Sequence, residues 1–317
     1  GLDTFVLGGG SNTLVGDAGF GGLVICPVHA DAVVEESVGD RVRLKVGAGH
    51  DWNALVGWSV DEGWAGLECL SGIPGRVGAA PIQNIGAYGQ ELSETLVAVH
   101  VIDRVSGELS RVDSADCGLA YRYSHFKGQW RDRYIVWNVE LELVVGGGPC
   151  VRYPELARRL GVGRRPSLSE VRDAVLDLRR GKSMVYDPTD VNHRSAGSFF
   201  VNPIIDAPSL ARVCEAVAAL GFDAETMPRY EIASSRMDPS QLYKLSAAWL
   251  IEHAGFPKGY GKGRAGLSSN HCLAIINRGG ATAAELVCLA REVRAGVESK
   301  FGVTLTPEPV FVGVDPL

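Results

Sequence analysis

Two glycine-rich segments contain the residues best suited to binding a phosphorylated or flat ligand. In the first, a short apolar stretch leads into Gly8, Gly9, Gly10, Ser11, Asn12 and Thr13. Glycines at the end of a strand let several backbone amides point at one group, so a diphosphate can approach the backbone closely. The three polar residues add side-chain donors. A plain glycine turn is the competing interpretation, because turns favour glycine for their own geometry.

The second segment, residues 66–89, reads GLECLSGIPGRVGAAPIQNIGAYG. Its repeated glycines would break a helix, and its small side chains would bury too little area to form a core. A long loop of this composition is expected where the backbone wraps around a flat ligand. A rigid Ω-like loop without a ligand is the alternative.

A dinucleotide-binding fingerprint, GxGxxG, is formed by Gly261, Gly263 and Gly266. That fingerprint requires a strand before the glycines and a helix after them. Here it follows a helix-like stretch, AAWLIEHAG, and is accompanied by lysine and arginine side chains. We therefore interpret it as a basic loop and not as a dinucleotide-binding turn.

The elements that must position these segments change along the chain. From Arg41 to Val46 apolar and basic residues alternate, and residues 135–145 repeat with the same period of two, as half-buried strands require. Between Val97 and Val112 two apolar runs flank a Ser-Gly turn, which predicts a hairpin. The first half of the sequence is therefore expected to be rich in short strands.

Helical signals dominate the rest of the sequence. A capping box formed by Ser167 and Glu170 predicts a helix that runs towards Arg180. Further helices are predicted at 209–220, 246–253 and 286–301, the last with a left-handed glycine cap. A strand-rich part followed by a mixed part predicts an α+β protein with two domains.

Charge and composition narrow the classes of partner. The 317 residues have a formal net charge of −6, and no run of lysine and arginine is long enough for a nucleic-acid stripe. No apolar run approaches the roughly 20 residues that a membrane span requires. The seven cysteines form no CxxC pair and the seven histidines no HxxxH pair. We therefore predict no nucleic acid, no membrane, no disulfide framework and no metal, and a location in the reducing cytoplasm.

Six motifs follow one another along the chain: LGGGSN (7–12), SGIPGRVGAAPIQNIGAYG (71–89), YRYSHFK (121–127), SAGSFFVNP (195–203), AAWLIEHAGFPKG (247–259) and LTPEPVFVG (305–313). In this order they resemble the UDP-N-acetylenolpyruvoylglucosamine reductase (MurB) family over nearly the whole sequence. Together they are far more specific than any one of them alone. The family usually has a further strand-rich stretch before the first motif, and often an arginine where this sequence has Val310.

The resemblance implies an α+β fold in which residues 1–195 form an FAD-binding domain of the vanillyl-alcohol-oxidase/PCMH type, with lobes at 1–28 and 29–195. A smaller α+β substrate-binding domain would follow at 196–301, and residues 302–317 would return to the active site. The implied enzyme is a UDP-N-acetylmuramate dehydrogenase. It would use FAD and NADPH to reduce the enolpyruvyl group of UDP-N-acetylglucosamine enolpyruvate in peptidoglycan precursor synthesis, and would act as a monomer.

The same resemblance implies which residues contact the ligands. The residues expected to contact FAD are Gly8, Gly9, Gly10, Ser11, Asn12, Thr13, Ser71, Gly72, Ile73, Pro74, Gly75, Gly78, Ala79, Asn84, Ile85, Gly86, Ala87 and Tyr88. The residues expected to contact the sugar nucleotide are Tyr153, Lys182, Asn202 and His271. Tyr153 lies in residues 151–156, which match the tyrosine loop that gates the substrate in one subclass.

Three residues in these motifs are expected to act in catalysis. Arg122 would hold the substrate carboxylate with two hydrogen bonds, and a protonated Glu308 would help to polarise it. Ser198 would supply the proton to the carbon next to the carboxylate. Two other functions stay open: an FAD-dependent oxidase of the same fold, which would not need these three residues together, and a catalytically silent flavin- or nucleotide-binding protein.

Overall fold

The computed structural model describes residues 2–232 and 241–317 and consists of two compact units. The first unit comprises Gly1–Ser11 and Gly21–Tyr186, and the second comprises Asn12–Phe20 and Asp187–Leu317. Each unit has a hydrophobic core of its own.

The first unit is built around one antiparallel sheet. With numbering along the whole chain, its elements are β1 (Thr4–Val6), β3 (Leu23–Ile25), β4 (Ala32–Val38), β5 (Arg41–Gly47), α1 (Trp52–Asp61), β6 (Trp64–Ala65), β7 (Gly86–Ala87), β8 (Gln90–Glu91), β9 (Leu96–Asp103), β10 (Leu109–Asp113), β11 (Tyr134–Val145), α2 (Pro154–Leu160) and α3 (Leu168–Arg180). The strand order of the sheet is β10-β9-β11-β5-β4, and β6 also pairs with β11. The parallel pair β1–β3 and the short hairpin β7–β8 lie outside this sheet.

The alternation of apolar and polar residues in the sequence correctly predicts strands of this sheet. In β5 the side chains of Val42, Leu44 and Val46 are buried, while the basic residues between them are at least partly exposed. The hairpin predicted between residues 97 and 112 is confirmed as β9 and β10, and the long period-two stretch is confirmed as β11. One face of the sheet is therefore covered by the core of the unit, as a half-buried antiparallel sheet requires.

The helices of the first unit support the second glycine segment. The indole nitrogen of Trp52, at the start of α1, donates a hydrogen bond to the carbonyl of Leu70 at 3.1 Å. The capping box predicted for α3 is present, with Ser167 accepting from the amide of Glu170 and Glu170 accepting from the amide of Ser167. The prediction that residues 151–156 form a loop is wrong for its last part, because Pro154 begins α2. Proline suits the first helical position, where its missing N–H has no partner in any case.

The second unit combines short strand pairs with three packed helices in its described residues. Its elements are β2 (Thr13–Val15), β12 (Ile204–Asp206), α4 (Ala207–Ala219), β13 (Arg229–Ile232), β14 (Leu242–Leu245), α5 (Ala247–His253), β15 (Ala265–Leu267), β16 (Ile275–Asn277), α6 (Ala283–Phe301) and β17 (Val310–Val312). The order β12-β14-β13 forms an antiparallel sheet, β15 and β16 form an antiparallel pair, and β2 pairs in parallel with β17.

The helices predicted for this unit are confirmed with small shifts at their ends. Helix α4 begins two residues before the predicted start, because Asp206 caps it through the amide of Ser209. Helix α6 ends at a left-handed Gly302, with φ of 65°, as its sequence predicts. The GxGxxG match does not open a helix: Gly266 lies in β15, and the Arg278 guanidinium donates to the carbonyl of Gly259 at 2.8 Å.

The compact units differ in extent from the domains expected from the sequence. The first unit ends at residue 186, whereas the expected FAD-binding domain extends to 195. Residues 12–20 belong to the second unit, because β2 pairs with β17 near the end of the chain. These units describe packing, and the functional boundaries remain a prediction.

Candidate functional site

The two glycine segments contact each other within the first unit. Gly8, Gly9 and Gly10 are exposed directly after β1, and the hydroxyl of Ser11 donates to the carbonyl of Pro74 at 2.9 Å. A Cβ atom placed on Gly9 would lie 2.8 Å from the Cα of Gly75, closer than real Cβ atoms come to backbone. The close approach therefore requires glycine at this position, and the two segments form one continuous backbone surface.

Part of the second glycine segment is an internal support. Ser71, Gly72, Gly78 and Asn84 are buried. The hydroxyl of Ser71 donates to the carbonyl of Glu68 at 2.6 Å and accepts from Arg172 of α3 at 3.1 Å. These buried residues have protein partners or neighbours, so we interpret them as positioning residues. The remaining predicted residues of the segment, Ile73, Pro74, Gly75, Ala79, Ile85, Gly86, Ala87 and Tyr88, are exposed or partly exposed.

Asn84 shows how this support works. Its backbone is left-handed, with φ of 47°, and its side chain is fully buried. The amide nitrogen donates to the Glu91 carboxylate at 3.0 Å and to the carbonyl of Ala120 at 3.1 Å, while the amide oxygen accepts from the backbone of Ser93 at 2.9 Å. Asn84 therefore joins the glycine segment to the loop that precedes Arg122.

Arg122 lies against the glycine segment in the first unit. One of its terminal nitrogens, Nη2, donates to the carbonyl of Gly86 at 2.5 Å, and Lys127 donates to its carbonyl at 3.2 Å. Its backbone is also left-handed, with φ of 53°, which is uncommon for a residue with a side chain. Strained backbone of this kind persists only where the surroundings impose it, and it is frequent at functional sites.

A second group of the first unit is centred on Tyr88. The rings of Tyr88 and Tyr153 meet edge to face with their centroids 5.6 Å apart. The ammonium of Lys182 lies 5.8 Å from the centre of the Tyr88 ring and 2.6 Å from the carboxylate of Glu155. Two residues predicted to bind the substrate, Tyr153 and Lys182, are thus brought together with one residue predicted to bind FAD.

Arg179 belongs to this group although the sequence did not single it out. It stands in the last turn of α3, where arginine is an ordinary helix-end residue. A Cβ atom placed on Gly72 would lie 3.4 Å from its Nε, and its Nη2 donates to the carbonyl of Met184 at 2.8 Å. The Nε atom is shielded from solvent and has no hydrogen-bond acceptor within residues 2–232 and 241–317. A buried donor of this kind is costly unless a ligand supplies an acceptor.

Burial shifts the acid–base equilibria of this group. Loss of solvation, with a smaller contribution from the nearby positive charge of Arg122, lowers the pKa of Arg179 to about 10. Burial also raises the pKa of Tyr88 to about 12, although the charge of Arg179 opposes that change. Tyr88 therefore stays neutral and Arg179 stays charged near neutral pH.

In the second unit the chain brings Ser198 and Glu308 onto adjoining segments. The amide of Glu308 donates to the carbonyl of Phe199, the residue after Ser198, at 2.9 Å. Gly197, with φ of 74°, provides the turn that precedes the serine. The side-chain amide nitrogen of Asn12 donates to the backbone carbonyl of Glu308 at 3.3 Å. Two predicted catalytic residues and one predicted FAD contact therefore lie together in this unit.

The other predicted residues of the second unit pair with or bond to backbone of the same unit. Thr13 pairs with Val310 in the β2–β17 ladder. The amide oxygen of Asn202 accepts from the backbone of Ala247, the first residue of α5, at 2.9 Å, so it helps to cap that helix. The carbonyl of His271 accepts from the backbone of Ala274 at 3.1 Å, in the turn before β16.

Comparisons with known proteins bear on both units. Residues 1–113 match the family described as FAD binding domain, and residues 187–312 match the family described as UDP-N-acetylenolpyruvoylglucosamine reductase, C-terminal domain. The reductase of that name from Thermobifida fusca is 53% identical over 98% of this chain and 85% of the relative. The chain belongs to the UDP-N-acetylenolpyruvoylglucosamine reductase family.

Other members of the reductase family agree with this assignment. The reductase from Saccharopolyspora erythraea is 50% identical over 97% of this chain and 83% of the relative. The crystal structure of the Thermus caldophilus reductase (MurB) is 26% identical, covers 98% of this chain and 86% of that chain, and has a TM-score of 0.63. The expected α+β fold, with an FAD-binding domain and a MurB C-terminal domain, is confirmed.

The sequence motifs did not single out two charged side chains that lie beside predicted site residues of the first unit. Arg179 and Glu155 lie outside the six motifs, and each looks like an ordinary helix residue in the sequence. The only available signal for Arg179 was its place three residues before Lys182. In the described residues no helix has the length and apolarity to cross a membrane, and no three His, Cys, Asp or Glu side chains are grouped to hold a metal ion.

Proposed function

We propose that this protein is a UDP-N-acetylmuramate dehydrogenase, which uses FAD and NADPH to reduce the enolpyruvyl group of UDP-N-acetylglucosamine enolpyruvate to UDP-N-acetylmuramate for peptidoglycan synthesis. The observation that carries the proposal is the similarity to reductases of this name, which extends over 98% of the chain at 53% identity. Bound FAD would supply the hydride chemistry that connects NADPH with the enolpyruvyl group.

The residues of the first unit fit such a cofactor. The contact between Gly9 and Gly75 leaves no room for a side chain on Gly9, so the exposed surface at Gly8–Gly10 is backbone. Backbone amides of a glycine-rich turn can bind diphosphate groups. We assign the FAD diphosphate to Gly8–Ser11 with Asn12 and Thr13, and the flavin ring to the exposed and partly exposed residues of the segment 71–89.

Positively charged residues of the first unit are assigned to the anionic parts of the ligands. Arg122 holds the carboxylate of the enolpyruvyl group, where a planar guanidinium can form two parallel hydrogen bonds. Arg179 has a shielded Nε without an acceptor in the described residues, and a bound cofactor or substrate would satisfy it. Lys182 binds an anionic group of the sugar nucleotide after exchanging its ion pair with Glu155 for the ligand.

Ser198 and Glu308 are assigned to the proton transfer. Ser198 donates a proton to the carbon next to the carboxylate, which becomes strongly basic after the hydride has been added. Glu308 shares a backbone hydrogen bond with the residue after Ser198, so the two residues stand on adjoining segments, and we assign them to neighbouring atoms of one substrate. In its protonated form Glu308 donates to the carboxylate and helps to delocalise the charge.

The remaining predicted residues are assigned to the sugar nucleotide. Tyr153, at the start of α2, closes over the sugar nucleotide, and Asn202 and His271 contact it. We further propose a cytoplasmic location and a monomeric enzyme, because the substrate and NADPH are small cytoplasmic molecules that a single chain can bind.

Anaerobic stopped-flow measurement tests the proposal. Purified protein loaded with FAD is mixed first with NADPH and then with UDP-N-acetylglucosamine enolpyruvate, while the flavin absorbance is followed. We expect NADPH to bleach the flavin band and the sugar nucleotide to restore it. Bleaching without recovery would contradict the proposed substrate, and failure to bind FAD would contradict the flavoenzyme itself. Rapid recovery by oxygen in place of the sugar nucleotide would instead indicate an oxidase.

A further inference from the structure

Cys69 and Cys150 lie against each other in the first unit, although they are 81 positions apart in the chain. Cys69 is fully buried, and its thiol donates to the carbonyl of Cys150 at 2.9 Å. Both cysteines belong to the apolar cluster in which Tyr88 and Tyr153 pack. The pair therefore lies next to the tyrosines assigned above to ligand binding.

Buried polar side chains hold the two cysteines in this arrangement. The carboxylate of Glu68, which is only 1% exposed, accepts from the amide of Cys150 at 2.7 Å and from the amide of Gly66 at 2.8 Å. The amide oxygen of Gln90 accepts from the backbone of Cys69 at 2.9 Å. The amide nitrogen of Gln90 donates to Glu68 at 3.3 Å. A single hydrogen-bonded network thus fixes the backbone at both cysteines.

The two thiols differ in reactivity. Cys150 is partly exposed, and the neighbouring Cys69 side chain, opposed by burial and assisted by the charge of Arg152, lowers the pKa of the Cys150 thiol. The contact with Cys150, together with burial, raises the pKa of the Cys69 thiol. Peroxide can reach the partly exposed Cys150 but not the fully buried Cys69, and the thiolate is the reactive form of a cysteine. Cys150 is therefore the attacking thiol and Cys69 the resolving one.

We propose that Cys69 and Cys150 are a peroxide-sensitive oxidation site that closes into an intramolecular disulfide. The Cys150 thiolate attacks one oxygen of hydrogen peroxide and the O–O bond breaks. Hydroxide departs, and Cys150 becomes a sulfenic acid. The sulfur of Cys69 then attacks the sulfenic sulfur, and the sulfenic hydroxyl leaves as water with the proton of the Cys69 thiol. Two thiols are oxidised, and one peroxide is reduced to two molecules of water.

The disulfide affects ligand binding through the chain on either side of it, and this consequence rests on the proposed function. Cys150 lies three residues before Tyr153, and Cys69 lies two residues before Ser71 of the glycine segment. A bond between them ties the start of the Tyr153 segment to that glycine segment. We expect oxidation to raise the KM for the sugar nucleotide several-fold, and dithiothreitol to restore it.

Thiol mapping of the FAD-loaded enzyme tests the oxidation site without using activity. The enzyme is treated with hydrogen peroxide at neutral pH, the remaining thiols are alkylated, and the peptides are identified by mass spectrometry. We expect one linked pair of peptides containing Cys69 and Cys150, with the loss of two hydrogens. Cys150→Ser and Cys150→Ala should both abolish it, whereas the exposed control Cys288→Ser should retain it. Alkylation of both cysteines after treatment, or a link to another cysteine, would overturn the proposal.

Steady-state kinetics on the same samples separate this proposal from the proposed function. An enzyme that reduces the sugar nucleotide when fully reduced, but forms no Cys69–Cys150 link, contradicts only the oxidation site. A link that forms in a protein without reductase activity contradicts only the proposed function. If peroxide raises the KM equally in the Cys150→Ser variant and the unmodified protein, the predicted effect of the disulfide on binding is wrong.

Discussion

Loss of contact with solvent shifts the pKa values of Arg179 and Tyr88 in opposite directions. Burial lowers the pKa of the guanidinium to about 10 and raises that of the phenol to about 12, because in each case the charged form is the less favourable one. At neutral pH the result is a charged, incompletely satisfied cation beside a neutral ring. Such a cation is stabilised when an anionic or carbonyl group arrives, so its side chain favours the liganded state.

Replacing Arg179 should therefore weaken ligand binding more than folding. We expect Arg179→Met to raise the KM for NADPH or for the sugar nucleotide by about tenfold to a hundredfold, the range for losing a hydrogen bond to a charged group. Arg180→Met is the matched control, because Arg180 is the next residue on α3, is exposed and pairs with Asp177 at the surface. Steady-state kinetics with each substrate varied in turn would check this, and equal effects of the two variants would contradict it.

Ser198 offers a sharper test, because its proposed role concerns only one half of the reaction. In Ser198→Ala we expect NADPH to bleach the flavin at the normal rate. Reduction of the sugar nucleotide should slow by about a hundredfold to ten-thousandfold, the usual contribution of a general acid. Anaerobic stopped-flow measurement separates the two halves. Loss of the NADPH half with retention of the other would remove the proposed role of Ser198.

At the scale of elements, short helices and strand ends position the functional side chains. Helix α2 begins directly after Tyr153. Its second residue, Glu155, forms an ion pair at 2.6 Å with Lys182, which follows the end of α3. The edge-to-face contact between Tyr153 and Tyr88 connects the same helix to the glycine segment. The start of α2 is thus connected both to Lys182 and to the glycine segment that contains Tyr88.

Removing the phenolic hydroxyl at the start of α2 should affect one substrate selectively. We expect Tyr153→Phe, which keeps the ring contact with Tyr88, to raise the Kd of the sugar nucleotide by about tenfold, as for the loss of one hydrogen bond. Oxidation of NADPH by an artificial electron acceptor should change by less than about twofold, because the ring remains in place. Isothermal titration and acceptor assays would check this, with the exposed Tyr186→Phe as control. Equal effects on both measurements would contradict the assignment of Tyr153.

The sheet of the first unit contains a buried ion-pair network that should make its stability depend on acid. Glu140 of β11 accepts from Arg111 at 2.8 Å and contacts His100 at 2.5 Å, and its side chain is 7% exposed. Hydrogen bonding by Arg111 lowers the pKa of Glu140 from 4.5 to about 2. Because the folded pKa is below the unfolded one, the stabilisation is present above pH 4.5 and is lost as the pH falls towards 2.

This network should contribute about 3 kcal/mol to the free energy of unfolding at neutral pH. We expect the wild-type protein to lose that contribution between pH 4.5 and 2, and Glu140→Gln to show a flatter profile over this range. Urea unfolding at a series of pH values, followed by circular dichroism, would measure it. Glu142→Gln on the same strand is the control, because Glu142 is more exposed, and it should keep the wild-type slope. Parallel profiles for the wild type and Glu140→Gln would contradict the interpretation.

At the scale of the whole molecule, two compact units with separate cores should respond differently to the cofactor. Most residues assigned to FAD, including Gly8–Ser11 and the segment 71–89, lie in the first unit. A ligand that binds only the folded form, and is present at a concentration of about a hundred times its Kd, stabilises that form by about 2.7 kcal/mol. We therefore expect FAD to raise the unfolding midpoint of the first unit more than that of the second.

Differential scanning calorimetry with and without FAD would detect this as a shift of one transition relative to the other. In Gly9→Ala the shift should be much smaller, because the added Cβ would lie 2.8 Å from the Cα of Gly75 and separate the two glycine segments. Gly19→Ala is less suitable as a control because of its positive φ, whereas Gly21→Ala adds a Cβ that meets nothing within 4 Å. An equal shift of both transitions in the wild type would contradict the assignment of FAD chiefly to the first unit.

The sequence by itself determined the local elements and the chemistry of the motifs. The alternation in β5, the capping box of α3 and the glycine cap of α6 depend on residues close in the chain, so their physical causes can be read from neighbouring residues. Ser198, Glu308 and Arg122 were found through motifs that also occur in the reductase family. The glycines of the two segments were recognisable because glycine lets backbone approach a ligand or another segment closely, as Gly9 does at Gly75.

Only the tertiary structure decided which distant groups meet and which are hidden from water. The pairing of β2 with β17 moved residues 12–20 into the second unit, and no local pattern marks that pairing. The shielding of the Arg179 Nε atom, the internal bonding of Asn84 and the contact of Cys69 with Cys150 likewise depend on segments far apart in the chain. Solvation and hydrogen bonding depend on the three-dimensional surroundings of a group, so residue type and spacing alone cannot determine them.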